Sequence, residues 1–319
     1  MRTTPILFAA VAALLMAMWP AAATAEDKLE WQQEDGKSLT LTRDGNVLWQ
    51  FCYDREQAKP YFHPLALPDG RVLTWNGPPD HRWHHALWFS WKFIDGVNYW
   101  EPNRSGKPAG ETAWSNVQIK THDDGTARIA MDLTYRVGDA EPVMTEHRVV
   151  EVSPPAADGT YSFDWVCKFT AGTKDVELNR TPLPGEPGGV GYGGYAGLSV
   201  RFAKDYADRQ AMTPDGPVVF NEQSRFRGKA VAMDYNGLLG GKPCGVAILD
   251  HPENLNHPTP WYVIRANPMS YYSPAVICYG PHTLPAGESF TLRYRVFVHD
   301  GRWDAERLTA ETERFTQGH

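Results

Sequence analysis

Apolar residues recur at every second position through most of the chain, the signature of strands with one buried face rather than of helices. The segment KSLTLTRDGNVLWQFCY alternates Leu39 and Leu41, offers a turn at Asp44-Gly45-Asn46, and alternates again at Val47, Trp49 and Phe51, which predicts a hairpin. RIAMDLTYRV puts Ile129, Met131, Leu133, Tyr135 and Val137 on one face, and YSFDWVCKF does so with Tyr161, Phe163, Trp165, Cys167 and Phe169. FTLRYRVFV carries Phe290, Leu292, Tyr294, Val296 and Val298 on one side, with Arg293 and Arg295 on the other. Strands of this length and regularity belong to antiparallel sheets, so the expected fold is all-β, a large antiparallel β-sandwich. The period changes once. In WDAERLTAETERFTQ the residues Ala305, Leu308, Thr312 and Phe315 fall at helical spacing, predicting a short C-terminal helix packed against the sandwich edge.

Residues 1–25 stand outside this pattern. Arg2, an apolar run from Ile6 to Trp19 and the small residues Ala23-Thr24-Ala25 read as a signal peptide, and no later apolar run approaches the length of a membrane span. Residues 26–319 are then expected to form a single exported domain, periplasmic or secreted. The formal charge of −7, one unit more negative once Arg2 is removed, and the lack of any basic block argue against nucleic acid or an anionic membrane as partner. Cys52, Cys167, Cys244 and Cys278 form no CxxC pair, which argues against a zinc knuckle or a thioredoxin-like site and leaves disulfides or buried thiols open. The sequence says nothing of oligomeric state.

Aromatic residues make up 12% of the chain, twelve of them tryptophans; most are expected to fill the core and a few to serve a site. In an exported protein such rings suit the apolar faces of sugars, so a carbohydrate is the expected partner. The densest chemistry lies in GPPDHRWHHALWFSW, residues 77–91. Strand alternation assigns His85, Leu87, Phe89, Trp91 and Phe93 to the core side and His84, Trp88, Ser90 and Lys92 to a more polar face. Three chemistries can use Asp80, His81 and His84: metal ligation, a histidine proton shuttle paired with a carboxylate, or simple sugar binding. No cofactor is required by the pattern, and a metal at His81 and His84 is the minor alternative.

Two further segments attract attention. TPLPGEPGGVGYGGYAG, residues 181–197, reads as a binding loop in which missing side chains admit a ligand, with Tyr192 and Tyr195 as hydroxyl donors and Arg201 beyond it for a sugar carboxylate. HPENLNHPTPW supplies His251, Asn254, His257 and Trp261, followed by Arg265. Glu101, Glu186 and Glu222 are the candidate acid–base carboxylates, and glycoside hydrolysis needs two at a defined separation. The assignment is catalytic for His84, His81, Asp80, His257, Glu186 and Tyr192. It is substrate-binding for His63, Trp88, Glu101, Tyr195, Arg201, His251, Asn254, Trp261 and Arg265. All three segments are expected to converge on one polar pocket lined by His84, Tyr192, Arg201 and His257. The function expected is that of a hydrolase, lyase or epimerase acting on a poly- or oligosaccharide, with a non-catalytic sugar-binding module as the alternative.

The stretch from Tyr61 to Pro102, together with GYGGYAGLSVRF and HPENLNHPTPWYVIRANP, resembles an exported bacterial family called PmoA-like or "methane oxygenase PmoA". Its members read Asp-His-Pro-His-His and Gly-Leu-Trp where this chain has Asp80 to His84 and Ala86 to Trp88. Here Arg82 and Trp83 replace the proline and middle histidine, and Ala86 replaces the glycine. The resemblance implies export, a β-sandwich and the company of polysaccharide-degrading enzymes, and the family's label suggests a metal-dependent (copper, zinc or iron) oxygenase-like enzyme as a further alternative. HTLPAGESFTLRYRVFV is similar to the last strands of galactose-mutarotase-like supersandwiches, which bears on fold.

Overall fold

A computed structural model describes residues 28–104, 106 and 108–317. The expected signal peptide lies outside these residues. Two nine-stranded antiparallel sheets dominate. The first runs in the order β1 (Leu29–Glu34), β2 (Ser38–Arg43), β3 (Asn46–Cys52), β4 (Tyr61–Leu65), β5 (Leu87–Ser90), β13 (Gly197–Arg201), β20 (Ser270–Pro274), β19 (Pro260–Arg265), β16 (Arg225–Lys229). The second is β15 (Gly216–Pro217), β14 (Ala207–Thr213), β17 (Ala232–Leu239), β18 (Lys242–Asp250), β22 (Ser289–Asp300), β11 (Tyr161–Ala171), β10 (Met144–Val152), β9 (Ala127–Arg136), β8 (Glu111–Thr121). A small third sheet joins β21 (His282–Leu284), β12 (Val176–Asn179), β6 (Phe93–Ile94) and β7 (Val97–Asn98).

The two large sheets face each other across one core. Trp49 and Phe62 from the first sheet meet Phe163 and Trp165 from the second, with Trp49–Phe163 ring centroids 6.1 Å apart and Phe62–Trp165 5.7 Å. The alternating residues of β9, β11 and β22 enter this core as their period requires, whereas Val137 lies past the end of β9 and is exposed. On the other face Arg295 forms a two-bond ion pair with Asp164, its partner in register on β11.

Two local departures from simple alternation have clear causes. The β2–β3 hairpin turns through Asp44 and Gly45, both at positive φ, and Asp and Gly accept that backbone. A bulge between Leu41 and Thr42 leaves Leu48 without a register partner, so Leu48 and Trp49 are both buried and Val47 is not. The helix α1 (Ala305–Gln317) is capped by Asp304, whose Oδ1 accepts from Arg307 N at 2.8 Å. Its Leu308 and Phe315 pack with Ala232, Ala247 and Leu249 on the outer face of the second sheet, rather than on a sandwich edge. Among the described residues no helix is long and apolar enough to cross a membrane. All four cysteines are free thiols.

Candidate functional site

The outer face of the first sheet is covered as well. Alternation sends Leu87 and Phe89 of β5, Trp261 and Val263 of β19, and Tyr272 of β20 into the main core. The intervening Trp88, Tyr262, Ile264 and Tyr271 join Tyr61 and Trp100 in a second buried cluster. Loops rising over this cluster leave a cavity of about 430 Å³. His81, Trp83 and His84 contribute to its wall from one loop, Trp100 and Glu101 from the segment after β7, and Tyr192 and Tyr195 from the glycine-rich loop. Tyr262, Ile264, Met269, Tyr271 and Arg225 complete it from the strand side.

The histidine loop is held in place by an ion pair that the sequence reading assigned to a ligand. Arg201, fully buried, donates from Nη2 to both oxygens of Asp80 at 2.9 and 2.8 Å, and its cation lies over the Trp75 ring and against Met269. Asp80 Oδ2 also meets His81 Nδ1 at 3.0 Å. Partial burial works against ionisation of Asp80, but the Arg201 and His81 hydrogen bonds outweigh it and keep its carboxyl below the usual carboxylate range. His84 sits deeper, its ring centroid 4.7 Å from His81, 5.0 Å from Trp88 and 5.4 Å from Tyr271. Its Nδ1 is buried without a hydrogen-bond partner. Burial, reinforced by the neighbouring His81 and Arg201 charges, pushes His84 well below the usual imidazole range, so it is a neutral ring.

Another part of the wall is built on Glu101. One carboxylate oxygen takes the buried Lys92 ammonium, and the other accepts from the Tyr195 hydroxyl at 3.3 Å. The Tyr195 ring packs on Trp100 at 5.1 Å, and burial together with the Glu101 charge drives its phenol upward. Beneath lies Lys59, whose ammonium donates to Trp100 O at 3.1 Å and which burial lowers to about 8. Arg227 fixes the glycine-rich loop by donating to the Gly191 and Gly193 carbonyls. Gly189, Gly193 and Gly194 of this loop serve chain-on-chain packing, whereas Gly185, Gly188 and Gly191 face open space. A Cβ at Gly193 would stand 2.0 Å from Pro182 O, and one at Gly194 2.7 Å from both Cys278 Sγ and Leu183 Cδ2.

The structure therefore brings together His81, His84, Glu101, Tyr192 and Tyr195, with Asp80, Trp88 and Arg201 directly behind them. The third segment does not join. His257 Nδ1 pairs with the buried Asp250 at 2.7 Å, and Asn254 ties Asp250 to the Arg293 backbone. His251 is buried against Phe315 of the helix, and Trp261 stacks on Tyr272 in the main core. Proline-stiffened polar loops can serve such internal networks as readily as ligands, and this one does. Arg265 lies over the Phe220 ring, outside the cavity. Glu186 is held by Arg180 at 2.5 Å and by Leu183 N at 2.6 Å, bonds that tie the loop to itself, and Glu222 is exposed. His63 is partly buried and meets Thr74 Oγ1 at 3.1 Å.

His85 also departs from expectation. Ala86 has φ 67°, which breaks the alternation before β5, so His85 stacks on Tyr61 at 4.8 Å instead of facing the main core. Trp83, Tyr262, Tyr271 and Arg225 escaped the sequence reading. The signal present was WYVI, apolar at four successive positions, and the paired Tyr271-Tyr272 of the next strand: such runs belong to strands covered on both faces. Among the described residues no group of three or more His, Cys, Asp or Glu side chains is arranged to hold a metal ion.

Comparison with known proteins places the chain by family. Residues 22–313 match the model of a family of unknown function, DUF6807, and the chain belongs to it. The PmoA-like label is not what this match carries. No curated protein matches the sequence. Similar solved structures include a putative aldose 1-epimerase from Klebsiella pneumoniae, at 9% identity and TM-score 0.48 over 90% of this chain and 86% of that one. The GH36 α-galactosidase AgaB from Geobacillus stearothermophilus gives 12% identity and TM-score 0.46 over 85% of this chain and 41% of that one. The galactosidase domain of AgaSK gives 10% and 0.44, over 84% of this chain and 41% of that one, so this chain spans about two fifths of the galactosidase chains.

Proposed function

We propose that this DUF6807 chain is an exported carbohydrate-active protein whose cavity receives a sugar ring and transfers protons on it, as a lyase or an epimerase does. The observation that carries this reading is the convergence of two polar groups, Asp80–His81 and Glu101–Tyr195, on one cavity walled by aromatic rings. Indole and phenol faces offer apolar surface to a sugar ring, while a few placed polar groups fix its orientation. With Nδ1 directed to Asp80, His81 has Nε2 free to take or give a proton. The ionised Asp80 orients the ring and stabilises the imidazolium that forms, and the buried Arg201 keeps Asp80 in place. Glu101, its carboxylate paired with Lys92, acts as the second group at the sugar by accepting a hydrogen bond from a hydroxyl, and the His81 imidazolium itself gives back the proton it took.

The geometry favours this over two-carboxylate hydrolysis. Glu101 is the one carboxylate that lines the cavity among the described residues, and Asp80 is already bonded to Arg201 and His81. The proposed step uses no metal. A non-catalytic binding role is the second reading. It is favoured by His84, which is buried and neutral without a carboxylate partner.

Screening the purified protein against mono- and oligosaccharides, with affinity by calorimetry and product detection by mass, tests both. The expected result is turnover of at least one sugar that falls by about 100-fold or more in His81→Ala and in Glu101→Gln. The melting temperature of His81→Ala should stay within a few degrees, because a partly exposed polar side chain contributes little to folding, whereas Glu101→Gln leaves the buried Lys92 ammonium without its counter-charge and should lower it further. Binding without turnover selects the second reading, and no binding by any sugar sinks both.

A further inference from the structure

Arg225 stands on the edge strand β16, opposite Ile264 in register, and forms part of the cavity wall. Its Nε is buried without a hydrogen-bond partner, and the Tyr262 hydroxyl lies beside the guanidinium. Among the described residues no carboxylate pairs with it. The other cations around the cavity are engaged: Arg201 with Asp80, Lys92 with Glu101, and Arg227 with two loop carbonyls. Beyond the two ion pairs, Arg225 and the buried Lys59 add positive charge that no further lining carboxylate offsets. In a chain of formal charge −7, this places a local surplus of positive charge at this aromatic-walled cavity.

Building on the sugar-cavity reading above, we propose that the ligand is an acidic sugar, a uronic acid residue, whose carboxylate is received by the Arg225 guanidinium. A guanidinium presents a planar pair of donors that matches a carboxylate in two parallel bonds, and a partly desolvated site strengthens them. The Tyr262 hydroxyl supplies a further donor at the same place. The sequence reading gave this role to Arg201, but Arg201 is fully buried and committed to Asp80. Arg225 is the guanidinium on the wall itself.

Calorimetry with D-glucuronate and D-galacturonate against D-glucose and D-galactose tests the assignment on the wild-type protein, Arg225→Gln and Arg225→Lys. At least one uronate should bind about tenfold or more tightly than its neutral counterpart, with a preference that shrinks as salt is raised. Arg225→Gln should bring that uronate down to the affinity of the neutral hexose, a loss several-fold larger than any the hexose shows. Arg225→Lys keeps the charge but loses the planar fork, so an intermediate preference is expected, and it decides the matter if the glutamine variant fails to fold. Neutral hexoses binding as well as uronates, or equal losses for both in Arg225→Gln, overturn this inference and leave the sugar cavity standing. Failure of all four sugars to bind also overturns this inference, while the cavity reading falls only if the wider panel of mono- and oligosaccharides fails as well.

Discussion

His85 is almost fully buried, stacked on Tyr61 and bonded through Nδ1 to Asn76 Oδ1 at 3.1 Å, and burial with the nearby Lys59 charge lowers it to about 3. In the unfolded chain the same ring titrates near the ordinary histidine value of about 6.5. Below that value the unfolded state binds the proton and the folded state does not, so stability rises with pH across the interval. The contribution is complete above pH ~6.5 and is lost as pH falls toward ~3, with a slope of up to ~1.4 kcal/mol per pH unit for each such histidine. His84 moves in the same direction. Urea unfolding at pH 7 and pH 5 should therefore show lower stability at pH 5, with a smaller difference in His85→Gln. An unchanged difference in that variant would remove His85 from the explanation. Ala86, next along the chain, adopts a left-handed backbone that L-residues with a Cβ enter at a cost of about 1 kcal/mol or more, and this places His85 on the outer side of the sheet.

Strand β19 shows how one element serves two purposes. Trp261 stacks on Tyr272 at 5.8 Å in the main core and donates from Nε1 to Ala230 O, whereas Tyr262, its neighbour, faces the cavity. Trp261→Ala should cost ~3–5 kcal/mol of stability, as removal of a large buried ring does. Tyr262→Phe should change stability by ~1 kcal/mol or less while lowering sugar affinity several-fold, since only the buried hydroxyl beside Arg225 is lost. Chemical denaturation and calorimetry on the pair separate the two faces. Equal effects of both changes on binding would mean that the strand does not divide its roles this way.

For the molecule as a whole, the cavity and the helix lie on opposite outer faces of the sandwich. The cavity sits outside the first sheet, and α1 covers the second through Leu308 and Phe315. Leu308→Ala should destabilise by ~2–5 kcal/mol because a fully buried leucine leaves a void against Ala232, Ala247 and Leu249. Sugar affinity of the folded fraction should stay within about twofold, as expected for distant sites that share no partners. A large drop in affinity under native conditions would reveal coupling across the two sheets.

The period-two pattern was enough to specify the sandwich, because each strand must bury one face whatever its neighbours are. The same pattern located β9, β11 and β22, the switch to a helix at Ala305, and Asp80 to His84 as a dense polar segment. The partners across the site depended on the tertiary structure. Arg201 could face a ligand or an internal carboxylate, and only the approach of Asp80, more than a hundred residues earlier, decided for the carboxylate. The His251–Trp261 loop had the composition of a binding loop, yet its polar atoms close on Asp250, Arg293 and the helix. Arg225, inconspicuous in sequence on a short edge strand, gained its place at the cavity because β16 pairs with β19. Local patterning determines which face of an element is buried, since that depends on the chain's own period. Which polar groups meet is set by long-range pairing, and a donor bonds identically to a ligand or to its own chain.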